Sequence, residues 1–474
     1  MATQRITFKE WLPDQPTVLD CLTDAKNVVP VAVGYAPMMS SEEISNAASE
    51  ALTNAFAGKF GTSTELFAGG ATKLFKFNPS DIDLDNVSKG GGYTGSNRWN
   101  FVQFGDVVLA ANGSEKIQSW QVGVSTVFAD VAANAPTAKF ITVVRDFVVS
   151  ANIGSDYNKV QWSDINAEGS WTAGGASQAD FQLIADGGNI LGITGGEFGL
   201  VLLEKSVVRM SYSGSPLFFQ FDTISRNVGC NAEGSVAQYG NLTFFLSDDG
   251  FYQCDGTALT AIGDEKVDNY FYTNVDVSKL SKMSCVADPI NKLVIWNYFK
   301  VDGTTEMLIY NFKLSKWSRA DSTADYICSS ATSNIALEGL DAFGTIDTLP
   351  ASLDDRLWAG GQYVFAGVSS TKLIAFTGPY MPAKLITNDI EQGYDSVVTL
   401  SRPMVDNGSA SVAVASRKNL NETITYSSDV TATTEGRCSL RSSGRYHRFK
   451  LIPSGDNWKH AVGLDVDITT QGTR

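Results

Sequence analysis

The sequence predicts an all-β protein, an irregular β-propeller with an attached C-terminal β-sandwich or platform module. Three observations predict it. Short apolar strands separated by glycine and aspartate turns begin near Leu52 and continue through most of the chain. Strand–turn–strand units recur at roughly 35 to 65 residues, close to the span of a propeller blade. Aromatic residues lie beside the hairpin turns, as blade packing requires. A set of β-sandwiches is the rival arrangement.

The densest unit is Asn241 to Gly263. Leu242 to Leu246 is an apolar strand, Asp248-Asp249-Gly250 a turn, and Phe251 to Cys254 the return strand. Asp255-Gly256 turns again, and Ala258 to Ile262 is a third strand. Residues 1–37 are expected to form an extended lead-in, because Pro13 and Pro16 hold their predecessors in extended geometry. Asn27 to Val33 is a short strand carrying Pro30, hence an edge. One helix is a candidate over Ser40 to Ala48, where Ser40 and Glu43 stand at capping-box spacing.

Residues 38–380 carry the propeller. Asp106 to Ala110 is a strand, Asn112-Gly113 a hairpin turn, and Lys116 to Gln121 the returning strand. Comparable units begin near Ile141, Gly199, Leu242, Lys292 and Arg356. Near Thr377 to Gly393 the alternation stops and two prolines intervene, which places a boundary near 380. Residues 381–474 then supply five short strands: Tyr394 to Val405, Ser409 to Ser416, Glu422 to Ser427, Arg445 to Ile452 and Ala461 to Ile468.

Composition restricts function. The chain has 474 residues, 36 basic and 51 acidic side chains and a net charge of −15, which disfavours a surface that grips DNA phosphates. The six cysteines (Cys21, Cys230, Cys254, Cys285, Cys328, Cys438) are too sparse for a disulfide scaffold and are expected to be mostly buried thiols. No signal peptide or membrane-length apolar run is visible, so a soluble product made in a cytoplasm is expected.

Catalytic signatures are absent from the text. His447 alternates with Phe449 and Leu451 and is expected in a core or interface; the other histidine is His460. No GxSxG elbow occurs. Asp81, Asp83 and Asp85 open like a calcium loop, but Asn86 and Gly92 stand where glycine and glutamate are needed. Gly69 to Lys73 lacks the Walker spacing and is a hairpin turn. Asp186, Asp248, Asp249 and Asp255 adjoin turns, where aspartate serves the backbone. Trp120, Trp162, Trp171, Trp296, Trp317 and Trp358 suit sugar stacking or, more often, blade packing. No catalytic residue, metal ligand or cofactor is assigned. One charge feature stands out: Arg437, Arg441, Arg445, Arg448 and Lys450 cluster in an acidic chain, either as a solvated strand face or as a subunit interface.

Several segments, in order, resemble the tail nozzle proteins of short-tailed bacteriophages, also described as packaged-DNA stabilisation or distal tail-tube proteins. These are residues 67–78, 99–113, 135–149, 158–171 and 228–271, followed by LRSSGRYHRFKL with Trp458 and GLDVDI. The resemblance implies a virion protein, synthesised in a bacterial host, with six copies forming a ring below a portal–adaptor (head–tail connector) complex. It implies a channel that helps retain packaged double-stranded DNA and conducts it during ejection, without sequence-specific binding. Tail fibre, spike or needle proteins are further expected partners. The alternative is a monomeric β-propeller that binds or hydrolyses glycans; a scaffold for protein partners is a weaker third reading.

Overall fold

Alternating apolar residues and tight turns fold the middle of the chain into six separate four-stranded antiparallel sheets, the blades of a propeller. The structure, a computed structural model, describes residues 2–61, 63–95, 98–331, 345 and 363–470. The innermost strands of the blades are Leu52–Phe60, Asn100–Phe104, Ala138–Val144, Ile190–Thr194, Ala237–Tyr239 and Tyr326–Ala331. A further four-stranded meander, Ser284–Asp288, Leu293–Phe299, Thr305–Asn311 and Lys316–Ser322, stands in the ring between the fifth blade and the last. It is not separate: its outer strand is continued into a 14-stranded sheet.

Adjacent blades share apolar cores. Phe67, Trp99, Val108, Trp120 and Phe128 fill the space between the first two blades, and Phe140, Phe147, Trp162, Val201 and Phe219 fill that between the third and fourth. Trp99 packs against Gly69, where a Cβ would stand 2.4 Å from the indole, so only glycine admits the ring.

Residues 40–48 do not form the expected helix. Glu42–Glu43 is instead the fourth strand of the last blade, with Glu43 opposite Ile374 and Glu42 opposite Ala375. Glu43 pairs with Lys372, and the Ile44 N–H donates to Leu373 O at 2.9 Å. A short helix with no apolar stripe gains too little to compete with an open sheet edge offering backbone partners. The same pairing closes the propeller with a strand from far earlier in the chain.

The strands of the N-terminal segment, Ala2–Thr7, Leu22–Lys26, Val28–Pro30 and Tyr35–Pro37, all enter the 14-stranded sheet, with turns over residues 12–21 between the first two. The strand carrying Pro30 lies at the end of the sheet. The C-terminal module supplies Lys384–Thr387, Ile390–Val405, Ser409–Arg417, Val430–Thr431, Cys438–Ser454 and Ala461–Thr470. The strand expected over Glu422 to Ser427 is absent. That stretch is held irregularly, with Ser427 N–H donating to Val414 O and Arg417 Nη1 to Glu422 O. Ile424 and Tyr426 are half-buried against the module while the residue between them is exposed, and the short strand falls at Val430–Thr431 instead.

One apolar core crosses from propeller to sheet. It includes Phe244 and Phe251 of the fifth blade, Trp296 and Trp317 of the meander, Trp11 of the lead-in, and Leu451 and Val466 of the C-terminal strands. Within this junction Lys26 and Arg319 form the one parallel rung between Leu22–Lys26 and Lys316–Ser322. Arg319 donates from Nε to Asp24 at 2.8 Å and from Nη1 to Glu306 at 3.0 Å. Glu306 is fully buried and also accepts from the hydroxyls of Tyr270 (2.7 Å) and Tyr298 (3.3 Å), while Lys384 reaches Asp24 at 2.9 Å. Removing one partner from such a network strands the others in low dielectric. Glu306→Ala is therefore expected to lower stability by about 3–5 kcal/mol, measured as a lower urea midpoint of the full chain. An unchanged midpoint would show that the junction does not depend on the carboxylate.

Candidate functional site

The arginine cluster lies on Cys438–Ser454, which changes partner along its length. Its first half pairs with Ile390–Val405 and its second half with Ser409–Arg417. Strand alternation puts Ser439, Arg441, Ser443 and Arg445 on one exposed face. Arg445 is paired with Glu391, its Nε donating at 3.0 Å, and exposed Arg437 meets Glu435 at 3.2 Å. Arg441 has no hydrogen bond or ion pair among the described residues. The other two members are not on that face. Lys450 meets Asp429 at 2.7 Å, and Arg448 is buried, donating to Asp389 at 2.8 Å. Buried Arg417 donates to the same Asp389 oxygen, so this triad carries one positive charge inside the module. Sequence spacing grouped five cations; the structure leaves three on one exposed face.

His447 is fully buried between two hydroxyls, with Ser396 Oγ 2.7 Å from Nε2 and Ser416 Oγ 2.7 Å from Nδ1. The pairing resembles a catalytic dyad in composition, yet the ring sits inside the sheet, as its apolar alternation predicted. Burial pushes its pKa down to about 4. His460 is exposed beside Asp406 at 3.4 Å.

The other sequence candidates fall into structural roles. Trp120, Trp162, Trp171, Trp296 and Trp317 are all buried; Trp358 lies outside the described residues. Asp255 accepts from the Thr257 and Ala258 N–H groups at 2.8 Å each, an Asx turn, and Asp249 accepts from the Tyr252 hydroxyl at 2.8 Å. Asp81 accepts from the Asp83 N–H at 3.2 Å, and Asp83 accepts from Asn46 at 2.7 Å. The 69–73 segment closes as a hairpin turn, its Gly70 N–H donating to Lys73 O. All six cysteines are free thiols and five are buried. No group of three His, Cys, Asp or Glu among the described residues can hold a metal ion.

Two charged groups that the sequence did not single out are the most unusual. Asp268 packs beneath Gly250 and Gly263 and accepts from the Phe251 N–H at 3.2 Å. Burial, with Asp14, Asp264 and Asp249 nearby, pushes its pKa up to about 7. Arg98 stands on the propeller axis, immediately before the inner strand of the second blade, between two cavities of about 360 and 280 Å³ that it and Asn100 both line. The sequence singles out neither Arg98 nor Asp268.

The depressed pKa of His447 fixes a sign. The neutral form is favoured on folding, so its contribution is complete above the ordinary value of 6.5 and is lost as pH falls from 6.5 to about 4. Asp268 works oppositely, losing stability as pH rises from 3.8 to about 7, so the two must be separated by difference. Between pH 6.5 and 4, His447→Gln is expected to abolish an acid-induced loss on the order of 3 kcal/mol, measured as denaturation midpoints of both chains across that window. Parallel pH profiles would refute the assignment.

No protein-family model matches the chain, and no curated protein matches it. Solved structures do. One is the extracellular domain of the putative hybrid two component system BT4673 from B. thetaiotaomicron, with TM-score 0.44 and 10% identity over 78% of this chain. The chain spans 43% of that structure's length. Another is the Neurospora crassa Pan2 WD40 domain, with TM-score 0.42 and 7% identity over 72% of this chain and 97% of that one. A third is the N-terminal domain of Nup159, with TM-score 0.39 and 10% identity over 74% and 98%.

Proposed function

We propose that the chain is a structural subunit of a ring, the tail nozzle of a short-tailed bacteriophage, with about six copies around a shared channel for DNA. The observation that carries this reading is the exposed arginine face of Cys438–Ser454, with Arg441 unpaired among the described residues, on a chain of net charge −15. A cationic face on an acidic body is self-complementary between copies arranged head to tail, which is how rings close. Two further features fit. Arg98 stands between two cavities of only about 280 and 360 Å³ lined by inner-strand residues, and in this reading duplex DNA runs between subunits and not through one. The core shared by propeller and sheet makes each subunit a single solid part.

In this role the protein conducts DNA without reading it and works by assembly, below a portal–adaptor and above distal fibre, spike or needle proteins. The glycan-binding alternative loses its stacking platforms, since five of its six tryptophans are buried.

Native mass and negative-stain imaging of the purified chain, alone and with its head–tail adaptor, test the proposal. A ring of about six copies with an open centre is expected, and Arg441→Glu should weaken assembly about tenfold or more without moving the denaturation midpoint. A chain that remains monomeric under both conditions would overturn the reading.

A further inference from the structure

The inner strands of the propeller converge on an axis that is neither filled with apolar side chains nor open from end to end. Arg98 divides it. Nη2 donates to Asn54 Oδ1 at 3.3 Å and Nη1 to the Met283 carbonyl at 3.4 Å, both long and both to neutral acceptors. The guanidinium carbon stands 5.5 Å from the centroid of the Tyr326 ring. These contacts come from three different elements of the ring, so the cation spans the channel and does not hug one wall.

No carboxylate among the described residues lies within ion-pair distance of Arg98. Arg319, by comparison, has Asp24 and Glu306, and Arg417 and Arg448 share Asp389, whereas half-buried Arg209 is like Arg98 in having a carbonyl partner and no carboxylate among the described residues. Arginine stays protonated, so an enclosed guanidinium without a counter-charge is costly unless something supplies one. Burial drives its pKa below the ordinary value, and only the weak influence of Cys328, Tyr326 and Cys285 opposes this.

The surroundings leave room for that counter-charge. The 360 Å³ cavity on the side where the inner strands begin is lined by Arg98, Lys139 and Lys282 against a single acid, Glu233. Glu233 is already paired with Lys139. Three cations against one anion is the reverse of the chain's overall balance of 36 to 51. Gly234 keeps the space open: a Cβ there would lie 1.7 Å from Met283 O and 3.0 Å from Arg98 Nη1. The volume is in the range of small-molecule sites, and a guanidinium fork matches the paired oxygens of carboxylate and phosphate.

We infer that the mouth of the axial channel binds a small oxyanion, carboxylate or phosphate, anchored on Arg98 with Lys282 at the rim. The site belongs to the single propeller and does not depend on the ring reading.

Isothermal titration of the full chain with inorganic phosphate and, separately, with succinate, in low-chloride buffer, tests it. One saturable site per chain is expected for at least one probe, and which probe binds identifies the class. Arg98→Met is expected to weaken that binding by about tenfold or more. Should that variant misfold, Lys282→Glu decides: Lys282 is exposed, so folding is retained and a several-fold loss is expected. No binding of either probe at millimolar concentration overturns the inference. So does binding that neither substitution weakens, since the anion then sits elsewhere.

Discussion

A half-buried arginine satisfied from two parts of the chain ties the propeller to the large sheet. Arg319 belongs to the meander of the ring, Glu306 is its neighbour across the strand pair, and Asp24 arrives from the lead-in. Neither acid alone meets the directional demands of a guanidinium in a low dielectric. The propeller and the large sheet are therefore registered on each other by charge geometry as well as by the apolar core around Trp296 and Trp317. Apolar packing tolerates sliding by a fraction of an ångström; a forked pair of charge-assisted hydrogen bonds does not.

The legible parts of the fold were those specified locally. The meander of 241–263 lies where its turns put it, with strands Leu242–Leu246, Phe251–Cys254 and Leu259–Ala261. Asp248-Asp249-Gly250 and Asp255-Gly256 leave the backbone few other paths. What failed to show was fixed from a distance. The helix Asp268–Asn274 has no cap of its own; Asp14, some 250 residues earlier, accepts from the Asn269 and Tyr270 N–H groups at 2.8 Å each. The strand Glu42–Glu43 exists because an edge three hundred residues later is open to it. A composition change near 380 was visible, but the core that ignores this boundary was not, since the shared membership of Phe244 and Leu451 in one apolar cluster leaves no mark on local sequence.

Charged residues were the least legible. A run of arginines is read from spacing, whereas their roles depend on partners. Arg448 turned inward to Asp389, Lys450 found Asp429, and only Arg437, Arg441 and Arg445 remained on a common face. Arg98, which neighbours no other cation in sequence, is the one that the fold isolates on its axis. The electrostatic character of a propeller interior is thus decided by which residues the ring brings opposite one another.

The large sheet also sets the order in which the molecule can be completed. Ala2–Thr7 pairs with Ala461–Thr470, residue Ala2 opposite Ile468 and Thr7 opposite Gly463. At ordinary rates of synthesis the first strand waits on the order of a minute for its partner to leave the ribosome. Leu22–Lys26 waits for less time, since its neighbours Lys316–Ser322 and Lys384–Thr387 both precede Ala461–Thr470 in the chain. The blades can close one after another as they emerge, but the sheet is a final, long-range step. Chaperone demand and the risk of exchanging strands between nascent copies are therefore concentrated at one late moment of the chain's life.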